Sequence, residues 1–304
     1  MSLIDLQNVT HYYGTHCALQ GVTVSLAPGA IGLIGQNGAG KSTLLKILLG
    51  LVRPSQGTGA VLGRDIRGSG SELRGRVGYM PEAESFVPGL RGVDLVSLAG
   101  ELSGMPRKQA LRRAHEVLSY LGLEEARYRR SEEYSVGMKQ RLKLATAMVH
   151  DPDLLLLDEP TAGLDPDGRD SMLALLASLA TRHGKSLMLS THLLGDIDRV
   201  CSQVVIVDRG QVRGVGRISE LRSEYRGRYR LRWSGVAASF LDSLRSVGVN
   251  VDVNGRPDEA LAEVPDGWPA RRFFELANGS ALTLREVHPL EEDLEAVYHR
   301  LIQA

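Results

Sequence analysis

An excess of charge of either sign is missing from this 304-residue chain: lysine plus arginine and aspartate plus glutamate both total 36, for a formal net charge of zero. A protein that neutralises many nucleic-acid phosphates carries a basic excess, so no nucleic-acid partner is expected. Cysteine is almost absent. Cys17 and Cys201 stand in apolar strand-like or helix-end contexts and read as buried thiols rather than as a disulfide or metal pair. No cysteine–histidine cluster has zinc spacing. Long apolar runs are missing too: the purest, "LLLL" at 154–157, falls far short of the roughly 18 residues a membrane span needs. The opening "MSLIDLQNVT" lacks a basic region followed by an apolar stretch, so no secretory signal is expected. The chain reads as cytosolic, with any membrane role supplied by a partner.

What is present is the composition of an ordinary globular chain, 43% hydrophobic and 24% charged, long enough for two domains or one domain with an appendage. The opening fifty residues read as strand, strand, strand, loop, helix: "LIDLQNVTHYYG" and "ALQGVTVSLAPG" alternate and end in turns, and "AIGLIG" runs into "QNGAGKS". From about residue 86 to 150 the pattern is helical, with Ala110, Ala114, Val117, Leu118 and Leu121 on one face of "RKQALRRAHEVLSYLGL". Then "DLLLLDEP", "KSLMLSTH" and "QVVIVDRG" read as apolar strands, with the helix "GRDSMLALLASLATRHG" after the first. Apolar strands alternating with helices predict a parallel α/β sheet, into which the helical block is inserted. Beyond about residue 217 the order becomes β-α-β-β-α-β, a ferredoxin-like split βαβ unit, followed by the helix "LEEDLEAVYHRLI". The domains expected are therefore 1–217 and an accessory domain at 218–304.

Three short stretches carry chemistry. "GQNGAGKST" at 35–43 fits the phosphate-loop pattern, with an apolar strand before it and a helix after it. Glycines let the backbone wrap a phosphate chain, and the amides from Asn37 through Gly38, Ala39 and Gly40 to Lys41, continuing into Ser42 and Thr43, supply donors. Lys41 is expected to reach the β- and γ-phosphates and the Ser42 hydroxyl to hold Mg²⁺. "LLLLDEP" ends a strand in two carboxylates. Asp158 is placed to hold Mg²⁺, and Glu159 to polarise the attacking water; the other reading is that Asp-Glu-Pro merely turns the chain. "SLMLSTH" delivers His192 at the exit of a neighbouring strand, on the side where α/β sheets bind ligands. There it could hydrogen-bond the γ-phosphate or orient the water, or serve as an ordinary surface or core histidine. A serine and a glycine at the start of the helix "VGMKQRLKLATAMVH" make a second helix start suited to an anion.

Phosphate loop, "YSVGMKQRLKLATAMVHDPDLLLLDEP", "AGLDP" and "STH", in that order, resemble an ATP-binding cassette (ABC) ATPase over about residues 3–216. The resemblance implies a P-loop cassette fold: a mixed, largely parallel α/β sheet, N-terminal antiparallel strands, a helical subdomain at about 86–150 and, here, a small α+β C-terminal domain. It implies an ATPase using ATP and Mg²⁺, in which two cassettes meet head to tail. The signature residues Ser135, Val136, Gly137 and Met138 of one chain would then face the γ-phosphate held by the other, as a homodimer or a heterodimer. Tyr13 resembles the aromatic that stacks on adenine, an ordinary strand tyrosine being the alternative. Asp165 matches the loop that crosses the dimer interface, with Gly163 and Pro166 shaping it.

Two departures from the family pattern stand out. Tyr134, Val136 and Met138 replace the usual residues of the signature, whereas the phosphate-facing Ser135 and Gly137 remain. Glu82 stands where most members place a glutamine that senses Mg²⁺ and the attacking water. A carboxylate there could ligand Mg²⁺ but would repel phosphate, so it is expected to shift the metal requirement and temper basal hydrolysis.

"YMPE" together with "YS-x-GM" and a short C-terminal domain resembles the bacterial export-type subunits that pair with a separate permease at the cytoplasmic face of the membrane, with residues 86–90 against the permease. The alternative is a soluble cassette switch acting on ribosomes or DNA, but such chains carry two cassettes or a long coiled coil, and this one has one phosphate loop and no heptad run. A cassette that binds without turnover is disfavoured by the presence of Lys41, Asp158, Glu159 and His192. The cargo is not legible, because its selection lies in the permease.

Overall fold

Two long strands at the start of the chain, β1 (Ile4–Tyr13) and β2 (His16–Leu26), pair antiparallel around a turn at Gly14. Their inward residues Ile4, Leu6, Val9, Leu19, Val22 and Val24 are buried, and this fixes the register. In the computed structural model, which describes residues 2–68, 70–84, 86–222, 227–253, 256–265, 267–278, 280, 282–290 and 293–303, the chain forms two compact units. One runs to Ile218 and takes in the chain from Arg300 onward; the other is Ser219–His299.

The first unit holds two sheets. Strands β4 (Gln56–Val61) and β5 (Arg64–Asp65) extend the N-terminal hairpin into a four-stranded antiparallel sheet in the order β2-β1-β4-β5. The second sheet is built from β3 (Ala30–Ile34), β6 (Val77–Met80), β7 (Leu154–Asp158), β8 (Ser186–Thr191), β9 (Gln203–Asp208) and β10 (Gln211–Arg217), in the order β10-β9-β3-β8-β7-β6. All its pairings are parallel except that of β10. Every residue of β3, β7 and β8 is buried, as strands covered on both faces must be. The carboxyl ends of β3, β6, β7 and β8 lie at one edge of this sheet, where open α/β sheets bind ligands.

Helix α1 (Lys41–Leu48) follows β3, and α2 (Gly70–Arg74) is a short turn before β6. The helical block consists of α3 (Gly92–Leu102), α4 (Arg107–Tyr120) and α5 (Val136–Met148). The predicted face of α4 is the buried one: Ala110, Ala114, Val117 and Leu118 are at most 3% exposed. Helices α6 (Pro166–Arg182) and α7 (Leu194–Val200) follow β7 and β8, and α8 (Ile218–Leu221) is a single turn. Cys201 is buried as expected, whereas Cys17 is only partly so; both are free thiols.

The second unit contains β11 (Arg228–Gly235), α9 (Ala238–Ser246), β12 (Asn250–Asp252), β13 (Glu259–Glu263), α10 (Arg271–Ala277) and β14 (Leu282–Pro289). The sheet order β12-β13-β11-β14, antiparallel throughout, is the ferredoxin-like arrangement. Leu231, Trp233, Phe240, Leu244 and Phe273 form its core. Parts of the expected helices at 269–279 and 290–302 fall outside the described residues at positions 279, 291 and 292; the last described helix is α11 (Leu294–Gln303). Among the described residues, no helix is long and apolar enough to cross a membrane.

Candidate nucleotide site

The loop between β3 and α1 turns on glycines that no larger residue could replace. A Cβ on Gly35 would collide with the Val207 carbonyl, and Gly40 combines a φ of 105° with close approach to the Ala18 carbonyl. Helix α1 therefore starts at Lys41 with the amides of its first turn free of intrahelical partners, a site for anions. Asn37, Gly38, Gly40, Lys41, Ser42 and Thr43 line a cleft of about 460 Å³. Ala39 turns inward instead, 4% exposed, its carbonyl accepting the Gly210 N–H at 2.9 Å. Lys41 lies along the loop, and its Nζ donates to the Gly35 and Gln36 carbonyls at 2.6 and 3.3 Å.

Four strand ends deliver the remaining groups to the same cleft. Tyr13 stands at the end of β1, Glu82 just beyond β6, Asp158 and Glu159 at the end of β7, and His192 after β8. Ser42 Oγ donates to Asp158 Oδ2 at 3.5 Å. Burial raises the Asp158 carboxyl above the usual range, and the carboxylates of Glu82 and Glu159 add to the effect. The Tyr79 hydroxyl is pushed to about 12 by burial, then by Asp158 and Glu82. This corner is thus rich in negative charge.

Glu159 takes a φ of 48°, rare outside glycine. Its Oε2 accepts the Thr191 hydroxyl at 3.0 Å; its Oε1 accepts the His192 N–H at 3.1 Å and lies 3.0 Å from His192 Nδ1.

A bulge in β1 between His11 and Tyr12 re-aims the strand end. It leaves Tyr13 45% exposed toward the cleft while its ring packs edge-on against buried His11, centroids 4.6 Å apart.

Other predicted residues lie elsewhere. None of Ser135, Val136, Gly137 and Met138 lines this cleft. Ser135 caps α5, its Oγ accepting the Met138 N–H at 3.3 Å. Val136 lines a second groove with Glu82, Glu84, Lys139, Gln140 and Lys143. Asp165 caps α6 by accepting the Gly168 N–H at 2.9 Å, after a turn in which Gly163 has a φ of 73°.

Sequence reasoning passed over three polar groups that tie these loops together. Gln140 donates to the Ala162 carbonyl at 2.8 Å. Lys143, 2% exposed, donates to the Pro81 and Glu82 carbonyls, both at 2.8 Å. Burial draws its ammonium below the usual lysine range, against the pull of Glu84, Glu82 and Asp158. Fully buried Asp196 accepts the Thr161 hydroxyl and Arg169 Nε, both at 2.6 Å. The available signal was the i, i+3 spacing of Gln140 and Lys143 on a helix whose other buried positions, Leu142, Leu144, Ala145 and Ala147, are all apolar.

Among the described residues, no group of three or more histidines, cysteines, aspartates or glutamates is arranged to hold a metal by itself. The Ser42 hydroxyl and Asp158 carboxylate do suit Mg²⁺, a hard cation that takes one or two protein oxygens and completes its shell with phosphate and water.

A phosphate loop, a buried strand ending in paired carboxylates and a histidine on the next strand define a phosphate-loop nucleoside triphosphatase. Residues 19–162 match the family described as ABC transporter. The chain is 32% identical over 305 residues to the uncharacterized ABC transporter ATP-binding protein YxlF of Bacillus subtilis (strain 168), covering 99% of this chain and 100% of that one. It is also 32% identical over 300 residues to the daunorubicin/doxorubicin resistance ATP-binding protein DrrA of Streptomyces peucetius, covering 97% and 91%. A bacterial ABC transporter cassette solved as a dimer superposes with a TM-score of 0.65 at 25% identity, covering 71% of this chain and 98% of that one. The chain belongs to the ATP-binding subunits of the ABC transporter family, and its activity is ATP hydrolysis.

Proposed function

We propose that this chain powers an exporter: two cassettes close on ATP, hydrolysis reopens them, and a separate integral-membrane permease follows the movement. The similarity to a drug-resistance ATP-binding protein, which extends over 97% of the chain and so takes in the second unit, carries this reading. The protein then works at the cytoplasmic face of the membrane, attached through its permease, with residues 86–90 as the contact.

In this reading Tyr13 stacks on adenine. The amides of residues 37–43 hold the phosphates, and Lys41 moves from the loop carbonyls to the β- and γ-phosphates. Ser42 and Asp158 hold Mg²⁺, with Glu82 as a further oxygen; the ion supplies charge neutralisation at the phosphates. Glu159 takes the proton of the attacking water while Thr191 and His192 keep its carboxylate aimed. Ser135 and Gly137 serve the nucleotide of a second cassette, and Asp165 belongs to the loop between the two. The second unit, Ser219–His299, which makes up most of the accessory domain expected at 218–304, stabilises or regulates the dimer.

Purification of the tagged chain from detergent-solubilised native membranes, with partners identified by mass spectrometry, tests the reading. Recovery of one polytopic membrane protein at near-equal stoichiometry supports it. Recovery of ribosomal or DNA-associated proteins without a membrane protein overturns it.

A further inference from the structure

A buried cation on α5 stands behind the loop that carries Glu82. Lys143 lies two turns into the helix, between Leu142 and Leu144, both fully buried. An apolar side chain there would avoid the large cost of stripping water from an ammonium. The lysine instead spends two of its three N–H donors on successive carbonyls, Pro81 and Glu82, at 2.8 Å each. Glu84, Glu82 and Asp158 are the carboxylates acting on it. Two of these have another cation at hand: Lys139 Nζ reaches both Glu84 oxygens, at 3.1 and 3.0 Å, and Lys41 acts on Asp158. Among the described residues no ion pair closes on the Glu82 carboxylate itself, although it shares the cleft with Asp158 and Glu159.

We propose that Lys143 is a positioning residue for ATP hydrolysis: it pins the Pro81–Glu82 turn through both carbonyls and offsets the Glu82 charge that would otherwise repel the triphosphate. The proposal rests on the reading of Glu82 as a carboxylate beside the γ-phosphate. It also gives the turn a link to α5, the helix that Ser135 caps, so the half of the site held in one cassette and the helix offered to the other move as one piece.

The test is a double-mutant cycle on the full chain. ATPase rates are measured against ATP and against Mg²⁺ for Lys143→Met, Glu82→Gln and the double variant, with thermal melting as a check on folding. Lys143→Met is expected to raise the KM for ATP about tenfold in the parent. In the Glu82→Gln background the same replacement should raise it no more than about twofold, because the charge it balances is gone. Lys143→Gln, which keeps a donor for the carbonyls without the charge, should fall between and stands in if Lys143→Met does not fold. An equal penalty in both backgrounds would make Lys143 a plain structural tether and overturn the proposal, as would no penalty in either. Glu82→Gln alone reports on the Glu82 reading separately: an unchanged rate and Mg²⁺ dependence removes that reading, whatever Lys143 does.

Discussion

Glu159 Oε1 is gripped by a single residue twice, accepting the His192 backbone N–H at 3.1 Å and facing its Nδ1 at 3.0 Å. With Thr191 donating to the other oxygen at 3.0 Å, the carboxylate is oriented by the end of β8 before any substrate arrives. Such preorganisation is what a base for water attack requires.

Glu159→Gln should therefore bind ATP normally and turn it over about 10²–10⁴ times more slowly. Phosphate release and equilibrium nucleotide binding measured side by side check this. With ATP present, the same variant should elute as a homodimer by light scattering if the transporter uses two copies; a persistent monomer would point to a different cassette partner or a need for the permease. Turnover within a few-fold of the parent would remove Glu159 from the role of base.

His192→Ala takes away the ring but leaves the backbone N–H and Thr191 in place. The carboxylate keeps two of its three contacts, so the fall in kcat should be smaller, about 10–10²-fold, with KM for ATP within a few-fold. A loss as deep as that of Glu159→Gln would show that the ring touches the reacting atoms directly.

Asp158 is a carboxylate that folding makes harder to ionise, since burial and the nearby Glu82 and Glu159 raise its pKa. Proton binding at Asp158 thus adds to stability below the unfolded value near 3.8, and the gain disappears as pH rises through the higher folded value. At neutral pH Asp158→Asn should accordingly melt higher than the parent in nucleotide-free buffer, by about 2–4 °C for each kcal/mol relieved. Its advantage should shrink on acidification, and its Mg²⁺-dependent turnover should be lost. An equal or lower Tm at pH 7 would count against the strain.

Asp196→Ala removes the acceptor shared by Thr161 and Arg169, at a site with no solvent access. Breaking a buried pair costs about 3–5 kcal/mol, and because the Arg169 side chain stays 35% exposed we expect about 2 kcal/mol, or roughly 4–8 °C in Tm. Calorimetry of the purified chain reads this directly. ATPase activity should fall as well, since Thr161 lies two residues beyond Glu159.

The phosphate loop and the Asp158–Glu159 pair were legible because each is local: glycine spacing and a pure apolar strand need no distant partner to be read. The ferredoxin-like unit was legible from its alternation of periods. Strands β4 and β6 were not, and glycine is the reason. A glycine inside a strand weakens the apolar alternation, and Gly57 and Gly78 are each there because a Cβ would collide with backbone, that of Asn8 in one case and of Ala147 in the other. Lys143 escaped for a different reason: a polar residue on a helix reads as solvent-facing, and the carbonyl that buries it lies 62 residues away. Tyr13 was singled out through the family resemblance, but the bulge beside His11 that delivers it is not announced by alternation along β1.

Adjacent residues Asp158 and Glu159 are each held against their own preference, one by burial of its charge and the other by a backbone φ of 48° that suits glycine better. Asparagine at the first and glycine at the second would both relax the fold. A mutant library sorted only for yield or heat resistance would drift toward those two replacements, and its winners would be sturdy proteins with no enzyme left in them.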